Sequence, residues 1–459
     1  MWGDLKQELW QQGCLVELEI TDLGDGGEGV GKFDSKVVFV PDTVVGDRAL
    51  VRLVRVKRKY AYGKLDKLLD PSPHRIRPQC IVADKCGGCQ WQHIDYGYQL
   101  SGKRNQVIQA LTRIGKFSQP TVGEVISVSP FAYRNKATYP LSVASTTGKV
   151  QAGYYRQGSH QIINLNQCPV QDQRLNPFLS EIKDDIWYRF WSVYNERNHQ
   201  GDLRHLALRI GRRTGEILLT LVTKTRKLPD IEEQGRAWLN QYPQLVGVCL
   251  NHNPHRTNAI FGEETHCVVG KPYLTEIFAG LQFQLRPETF FQVHTEAAEA
   301  LLEVIIERLN LSGEEILLDA YCGIGTFTLP LAKRLQKAIG IEVQDTAIAQ
   351  ARLNAQLNDI SNVEFYAGTV EEQIKQIQVT PDVVILDPPR KGCKPQVIAA
   401  LLELKPKKIV YVSCRPATLA RDLQLLCDQE DYKVTYVQPA DFFPQTFHVE
   451  CTAFLESNL

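Results

Sequence analysis

The sequence contains no uninterrupted apolar run of about 18 residues, the length expected of a membrane-spanning helix. Its start, MWGDLKQELWQQG, lacks the basic and then apolar order of a secretory signal. It also lacks internal repeats and low-complexity tracts, which argues against a repeat array or a disordered chain. These absences predict a folded, cytosolic protein.

The chain lacks an excess of charge of either sign, because 52 Lys and Arg residues balance 52 Asp and Glu residues. A surface that binds a polyanion must therefore be local. With 459 residues, of which 43% are hydrophobic, the chain is long enough to bury the cores of two or three domains.

Residues 12–70 have the pattern of a small β-barrel. Apolar and acidic residues alternate over 16–20, and the Gly-Asp-Gly-Gly sequence at 24–27 supplies a turn. Seven Lys or Arg residues and no acid occur over 48–64, with Tyr60 and Tyr62 interleaved. This composition is typical of a strand that follows RNA phosphates and stacks bases, and a solvated edge strand protected by charge is the alternative.

Residues 71–286 form a second segment, which begins with Pro71-Ser72-Pro73. It contains a cysteine cluster and a helical stretch around 98–114, and then reads mostly as strands from about residue 120 onward. The sequence therefore predicts a central, mostly β domain.

Twelve cysteines in a long cytosolic chain more often bind metal, catalyse or pack than form disulfides. Cys80, Cys86 and Cys89 form a C-x5-C-x2-C pattern, and Cys168 could supply a fourth thiolate from a separate segment. Four thiolates suit either a tetrahedral zinc ion or a cubane iron-sulfur cluster. The spacing alone leaves both possibilities open.

Residues 287–459 alternate helical stretches with short apolar strands, at 316–318, 338–341, 383–386 and 409–412. Alternation of this kind predicts a doubly wound α/β domain, in which helices cover both faces of a parallel sheet.

The first of these strands leads into the glycine-containing turn DAYCGIGTF at 319–327, and the next ends at Glu342, 23 residues after Asp319. An acid at this position can accept hydrogen bonds from the ribose of a nucleoside. The third glycine of a dinucleotide fingerprint is missing, and Asp387-Pro388-Pro389-Arg390 follows a later strand. The combination favours S-adenosylmethionine over a nicotinamide cofactor or a merely structural turn.

Cys414 ends another strand, and a helix is expected to start near Pro416. The helix dipole and Arg415 are expected to lower the pKa of this thiol, although a buried structural cysteine is the alternative. A thiolate that adds to carbon 6 of uracil activates carbon 5 for methylation, and a base must then remove the carbon 5 proton. Glu450, late in the same segment, is a candidate base unless it is simply a surface acid.

Taken together, these motifs resemble the RNA uracil-5 methyltransferases in order and spacing. The matching segments are Phe290-Phe291-Gln292-Val293, DAYCGIGTF at 319–327, DPPRKG at 387–392, Ser413-Cys414-x-Pro416 and FPQTFHVE at 443–450. The resemblance implies that residues 12–70 are a TRAM domain, an oligonucleotide-binding-like barrel, and that the cysteine cluster is an iron-sulfur module.

By motif position the resemblance implies that Cys414 is the nucleophile and Glu450 the proton acceptor. It assigns the S-adenosylmethionine site to Gln292, Tyr321, Thr326, Glu342, Thr369 and Asp387. It assigns a 4Fe-4S cluster to Cys80, Cys86, Cys89 and Cys168, and it places Arg134 near the target uracil. Arg415 and His294 depart from the family pattern, in which asparagine is usual at both positions.

A TRAM barrel combined with an iron-sulfur cluster is more similar to the branch of the family that acts on 23S ribosomal RNA than to the branch that acts on tRNA. That RNA is the expected partner, a T-loop uridine of tRNA is the alternative, and the protein is expected to be a monomer with no membrane partner. Methylation of an exocyclic amino group is a further alternative that would leave Cys414 and Glu450 without roles. A non-catalytic iron-sulfur protein that binds RNA is the alternative from another class.

Overall fold

The computed structural model describes residues 9–428 and 431–458. Residues 1–8, which include most of the segment considered for a targeting signal, lie outside the described residues, as do 429–430 and 459 of the predicted catalytic segment. In the part of the chain that the structure describes, every helix is too short or too polar to cross a bilayer.

The N-terminal strands close into a five-stranded barrel in the order β1-β2-β3-β5-β4. The strands are β1 (Leu15–Leu23), β2 (Gly29–Phe33), β3 (Lys36–Val40), β4 (Arg48–Val56) and β5 (Tyr60–Asp70). Val16, Leu18 and Ile20 alternate into its core, while Glu17 and Glu19 point outward. The barrel predicted from this alternation is confirmed, because a strand with period 2 buries one face only.

The central part contains a seven-stranded sheet in the order β12-β11-β10-β9-β6-β7-β8. Its strands are β6 (Lys136–Val143), β7 (Val150–Tyr155), β8 (Ile162–Asn164), β9 (Leu203–Ile210), β10 (Ile217–Thr223), β11 (Leu245–His252) and β12 (Glu264–Gly270). A separate hairpin joins β13 (Leu274–Phe278) to β14 (Leu281–Leu285), and a 3₁₀ turn lies at Gln173–Leu175. Helices α2 (Asn176–Tyr188) and α3 (Ile231–Gln241) contribute Phe178 and Trp238 to the core on this sheet.

The C-terminal part is a seven-stranded sheet in the order β17-β16-β15-β18-β19-β21-β20. Its strands are β15 (Ile316–Asp319), β16 (Lys337–Glu342), β17 (Val363–Ala367), β18 (Val383–Leu386), β19 (Lys408–Ser413), β20 (Tyr432–Ala440) and β21 (Glu450–Ser457). The first five in spatial order are parallel, and β21 and β20 add an antiparallel edge.

Helices lie on both faces of this C-terminal sheet. They are α4 (Thr295–Leu309), α5 (Thr328–Ala332), α6 (Asp345–Leu357), α7 (Val370–Gln373), α8 (Pro395–Leu404) and α9 (Pro416–Cys427), with a 3₁₀ turn at Ile374–Gln376. Leu317 lies in the core on one face and Leu318 in the core on the other. Burial on both faces explains why the strands are apolar throughout, and it confirms the doubly wound prediction.

A stretch from the second segment of the sequence packs on the C-terminal sheet. Helix α1 (Tyr96–Arg113) contributes Val107 and Leu111 to one of the two cores of this domain. Further along the chain, Val122 and Ile126 form parallel bridges with Val437 and Ala440 of β20. The domain boundaries at residues 71–286 and 287–459 therefore remain a prediction. Helix α1 lies in the first of these segments but packs on the C-terminal sheet.

Candidate active site

Four chemically important side chains meet at one edge of the C-terminal sheet. Asp319 ends β15, Glu342 ends β16, Asp387 follows β18 and Cys414 follows β19. The carboxyl ends of parallel strands share an edge, and the order of the strands reverses between β15 and β18. Open α/β sheets bind their ligands in the crevice at such a reversal.

The turn after β15 has a backbone shape that suits a bound nucleoside. Gly323 and Gly325 have φ angles of +53° and +85°, in the left-handed region that favours glycine. A Cβ atom at Gly323 would meet no atom within 4 Å, so the backbone there faces open space. Asp319 holds the turn by accepting a 2.6 Å hydrogen bond from Thr328 Oγ1, and burial raises the pKa of Asp319 to about 6.

Glu342 offers a carboxylate at the end of the neighbouring strand. It is half-buried, and its Oε1 accepts a 2.9 Å hydrogen bond from the backbone N–H of Gln344. That bond fixes the carboxylate at the crevice, where it can accept hydrogen bonds from the two hydroxyls of a ribose. The residues present therefore fit an S-adenosyl nucleoside.

The other residues assigned to the cofactor lie in several loops. Tyr321 and Thr326 follow β15, Thr369 precedes α7 after β17, and Asp387 follows β18, so these four share the carboxyl edge with Glu342. Gln292 lies in the loop before α4, where its carbonyl accepts a hydrogen bond from Asn135 Nδ2. Hydrogen bonds and ion pairs among the described residues do not connect Gln292 with the other five.

Cys414 and Glu450 are brought together by strand pairing. Strands β19 and β21 pair antiparallel from Lys408 with Glu456 to Ser413 with Cys451. Cys414 directly follows Ser413, the last paired residue of β19, and Glu450 directly precedes its partner Cys451, so both lie at the same end of this strand pair. The two side chains are close enough for the charge of Glu450 to act on the Cys414 thiol.

Glu450 is a buried carboxyl group, with 5% of its surface exposed. Burial, together with the negative charge of Asp387, raises the pKa of Glu450 to about 8, although the Arg390 guanidinium acts to lower it. A carboxyl with a pKa near the working pH can take up a proton and release it again, which is what a general base requires.

Burial also raises the pKa of the Cys414 thiol, and Glu450 adds to the increase. Arg390 lowers it through its charge and a hydrogen bond to the sulfur. The expected lowering of the pKa of Cys414 is therefore wrong for the protein without its ligands. Arg415, which precedes α9, has an exposed side chain, and the cation that acts on the thiol is Arg390. The sequence motif at 387–392 contains Arg390, but the sequence did not predict a role for this residue.

The loop that leads to Glu450 is held by residues that the sequence did not single out. Lys103 of α1 donates a 2.6 Å hydrogen bond to Asp441, and both side chains of this ion pair are fully buried. Gln99 donates to Gln445 Oε1, and the Gln445 carbonyl accepts from the N–H group of Trp91. These contacts join residues more than 330 positions apart, so no local pattern could have revealed them.

The four cysteines predicted to bind metal lie around one cavity of about 150 Å³, which Tyr133 also lines. The cysteines are Cys80, Cys86, Cys89 and Cys168. Burial raises the pKa of Cys89 to about 12, and the neighbouring thiols contribute to the increase. Within the described residues, no group of three or more His, Cys, Asp or Glu side chains is arranged so that it could hold a metal ion.

A larger cavity of about 380 Å³ opens directly at Cys414. Its walls include Asp25 and Gly26 from the barrel, the face of α1 from Gln106 to Arg113, and Arg390 beside the thiol. All three regions of the chain thus border the space in front of the nucleophile.

The crevice, the glycine turn and the barrel define an S-adenosylmethionine-dependent methyltransferase that acts on RNA. Comparison with known families supports this class, because the family described as tRNA (Uracil-5-)-methyltransferase matches residues 95–458 and the TRAM domain matches residues 9–65. The chain belongs to the tRNA (uracil-5-)-methyltransferase family. The resemblance stated from the motifs, including the TRAM barrel, is confirmed at this level.

The relatives cover nearly the whole chain. An uncharacterized RNA methyltransferase of Nostoc sp. is 65% identical over 98% of each chain, and one of Listeria monocytogenes is 36% identical over 99% of this chain and 100% of the relative. Among solved structures, the tRNA (uracil-54, C5)-methyltransferase of Pyrococcus abyssi, in complex with S-adenosyl-L-homocysteine, is 31% identical. It has a TM-score of 0.77 and covers 96% of this chain and 100% of its own.

Replacing Glu342 with alanine is predicted to weaken S-adenosylmethionine binding by about 1.5–3 kcal/mol, because hydrogen bonds to a charged acceptor are lost. Calorimetric titration of the cofactor into the purified variant measures this change. Glu364→Ala is the matched control, since Glu364 on β17 pairs with Lys337 at the protein surface. Equal cofactor affinity in Glu342→Ala and the wild type would remove Glu342 from the site.

Proposed function

We propose that this enzyme transfers a methyl group to carbon 5 of a uridine in RNA through a covalent bond between Cys414 and carbon 6 of the base. The observation that carries the proposal is the pairing of β19 with β21, at whose end the Cys414 thiol lies beside the buried Glu450 carboxyl group. An exocyclic amine would need neither group, whereas carbon 5 of uracil needs both.

S-adenosylmethionine supplies the methyl group as an electrophile when it is bound in the crevice. The Cys414 thiolate adds to carbon 6, and the electron density this places on carbon 5 lets that carbon take the methyl group. Glu450 then accepts the proton from carbon 5, and the electron pair of that C–H bond expels the thiolate. The products are 5-methyluridine and S-adenosylhomocysteine, and Cys414 is regenerated.

Arg390 has a supporting role in this scheme. Its guanidinium contacts the Cys414 sulfur and lowers the pKa of a thiol that burial and Glu450 would otherwise keep protonated. The same cation lowers the pKa of Glu450, so both groups ionise more readily beside it. Since the target carbons must reach the thiol, the uridine has to leave its stack and enter the cavity.

The barrel is the proposed docking surface for the rest of the RNA. Phe39, Tyr60 and Tyr62 form an aromatic cluster with ring centroids 5.6–6.2 Å apart, and the two tyrosines are 38% and 37% exposed. The two tyrosines lie within residues 48–64, which contain seven Lys or Arg residues and no acid, and this combination suits base stacking together with phosphate contacts.

A uridine of large-subunit ribosomal RNA is the proposed target, on the strength of the barrel and the four-cysteine cavity together. The T-loop of tRNA is the second candidate, favoured by the 31% identity to the Pyrococcus abyssi enzyme across nearly the whole chain. Incubating the protein with labelled cofactor and either 23S fragments or tRNA transcripts, followed by nuclease digestion, tests both. The proposal expects labelled 5-methyluridine from one of them, and label in any other nucleoside would refute it.

The cysteine cavity is proposed to hold a 4Fe-4S cluster with a structural role. The four thiols line one cavity but do not converge on a single point where one ion could bind, and a cubane needs only one thiolate for each of its four irons. Tyr133, which lines the same cavity, donates a 3.1 Å hydrogen bond to the carbonyl of Pro444 in the loop that leads to Glu450. The bound group would thereby support the wall of the active site.

Anaerobically purified protein is predicted to contain about four irons per chain, with the broad visible absorbance of iron bound to thiolates. Cys168→Ser should lose most of this iron, because one of four ligands is gone, while Cys427→Ser serves as a cysteine control from helix α9. Iron analysis of the three proteins measures the effect. One zinc and no iron, or full iron content in Cys168→Ser, would contradict the assignment.

A further inference from the structure

A second cavity extends the active-site cavity into a groove between the barrel and helix α1. It has a volume of about 330 Å³ and is lined by the end of β1, such as Leu23, by the turn after it, such as Asp25, and by α1 from Tyr98 to Arg113. Four residues line both cavities: Asp25, Gln106, Gln109 and Arg113. The groove therefore continues from the barrel to Cys414.

The face of α1 that lines the groove carries polar side chains without partners. In the described part of the chain, Asn105, Gln106 and Gln109 make no side-chain hydrogen bond or ion pair, and Gln106 Oε1 is a buried acceptor with no partner. Buried polar atoms are nearly always hydrogen-bonded, so an exception needs an explanation. A ligand in the groove would supply the missing donor.

The adjoining face of the same helix behaves differently. Gln99 bonds to the carbonyls of Trp91 and Ile94, and Lys103 pairs with Asp441. Arg104 donates to the carbonyls of Val122 and Gly123. Polar groups of α1 that serve the fold are thus satisfied within the protein, whereas Asn105, Gln106 and Gln109 in the groove are left open among the described residues.

The barrel wall of the groove is acidic and firmly placed. Asp22 and Asp25 lie on it, and the Gly27 carbonyl accepts a 2.9 Å hydrogen bond from Trp91 Nε1. A Cβ atom at Gly27 would lie 2.9 Å from Phe447, so the turn packs closely against the loop that leads to Glu450. Carboxylates repel phosphates but accept hydrogen bonds from the amino groups of bases.

We propose that Asn105, Gln106 and Gln109 read the bases next to the target uridine and so determine which sequence is methylated. Amide side chains pair with the hydrogen-bonding edges of unpaired bases, and RNA is read in sequence mainly where its bases are unpaired. From Ser101 to Arg113 the helix extends roughly 18 Å, enough for several stacked bases at about 3.4 Å each. This inference rests on the proposed function and deepens it.

The test is binding selection from an RNA pool in which the nucleotides on both sides of one uridine are randomised. Wild-type protein, Gln106→Ala and Gln109→Ala are compared, and Gln356→Ala, an exposed glutamine of α6, is the matched control. Each groove variant should lose its preference at one flanking position and bind the preferred sequence about 10-fold more weakly. The salt dependence of binding should stay as in the wild type, since no phosphate contact is removed.

Two results would overturn the proposal. An unchanged flanking preference in both groove variants would show that these amides do not read bases. A uniform loss over all sequences, with a smaller salt dependence, would show that they contact the backbone instead. Because selection measures binding, it is independent of methyl transfer, and failure of the proposed function would appear separately as the absence of 5-methyluridine from wild-type reactions.

Discussion

Replacing Cys414 with alanine should abolish methyl transfer and every covalent bond between the protein and RNA. Without the sulfur, nothing adds to carbon 6, and carbon 5 stays too electron-poor to attack the methyl group. We expect the loss in turnover to be at least about 10⁴-fold, the scale seen when a covalent nucleophile is removed. Cofactor affinity should stay close to that of the wild type, because the proposed contacts to the nucleoside lie at the ends of β15 and β16.

The measurement is incubation with methyl-labelled cofactor and substrate RNA, followed by denaturing electrophoresis. Cys427→Ala is the control, since Cys427 is a half-buried cysteine at the end of α9. Normal labelling of RNA by Cys414→Ala would show that another group activates the base.

Replacing Glu450 with glutamine should have a different outcome, namely accumulation of a methylated protein–RNA adduct. The thiol can still add and the methyl group can still be transferred, but an amide cannot take the carbon 5 proton, so Cys414 is not expelled. Turnover should fall by about 10²–10⁴-fold, the usual contribution of a general base. A denaturation-resistant band that carries the methyl label should appear for Glu450→Gln and be absent for Cys414→Ala.

The Glu456→Gln variant is a suitable control for that experiment, because Glu456 lies on the same strand with an exposed side chain. Multiple turnovers by Glu450→Gln at the wild-type rate would mean that a different base removes the proton. A loss of activity without any trapped band would place Glu450 before the methylation step instead of after it.

The raised pKa of Glu450 adds a pH dependence to this prediction. Burial raises the pKa to about 8, so the carboxyl becomes available as a base only as the pH rises through that value. The rate at which the wild-type adduct is resolved should therefore increase from pH 6.5 to 8.5, and Glu450→Gln should show no such increase. A rate that falls over the same range would contradict the assignment of Glu450 as the proton acceptor.

The sequence predicted the candidate site residues because these residues lie at the ends of strands that can be recognised from their apolar runs. The apolar runs at 316–318 and 383–386 mark strands whether or not their neighbours are known, and Asp319 and Asp387 follow them directly. Sheet topology then places such residues on one edge without further information. The barrel followed in the same way from local alternation.

The position of α1 could not be read from the sequence. Its periodicity predicted a helix, yet the partners of its buried face, such as Val449 and Leu419, lie about 300 residues further along the chain. The Lys103–Asp441 ion pair is equally remote in sequence. Chain order places this helix in the central segment, and the sequence alone contains no information about the distant residues against which the helix packs.

The sequence by itself determined which groups are available: a thiol, a carboxylate, a glycine turn and a barrel with a basic segment at 48–64, each encoded by residue type and local pattern. Only the tertiary structure decided that Cys414 lies beside Glu450, that Arg390 is the cation next to them, and that burial raises both pKa values. Strand register, burial and the distance between charges depend on contacts between segments that are far apart in the chain. Local periodicity carries no information about those contacts, because it depends only on whether each side chain faces the core or the solvent.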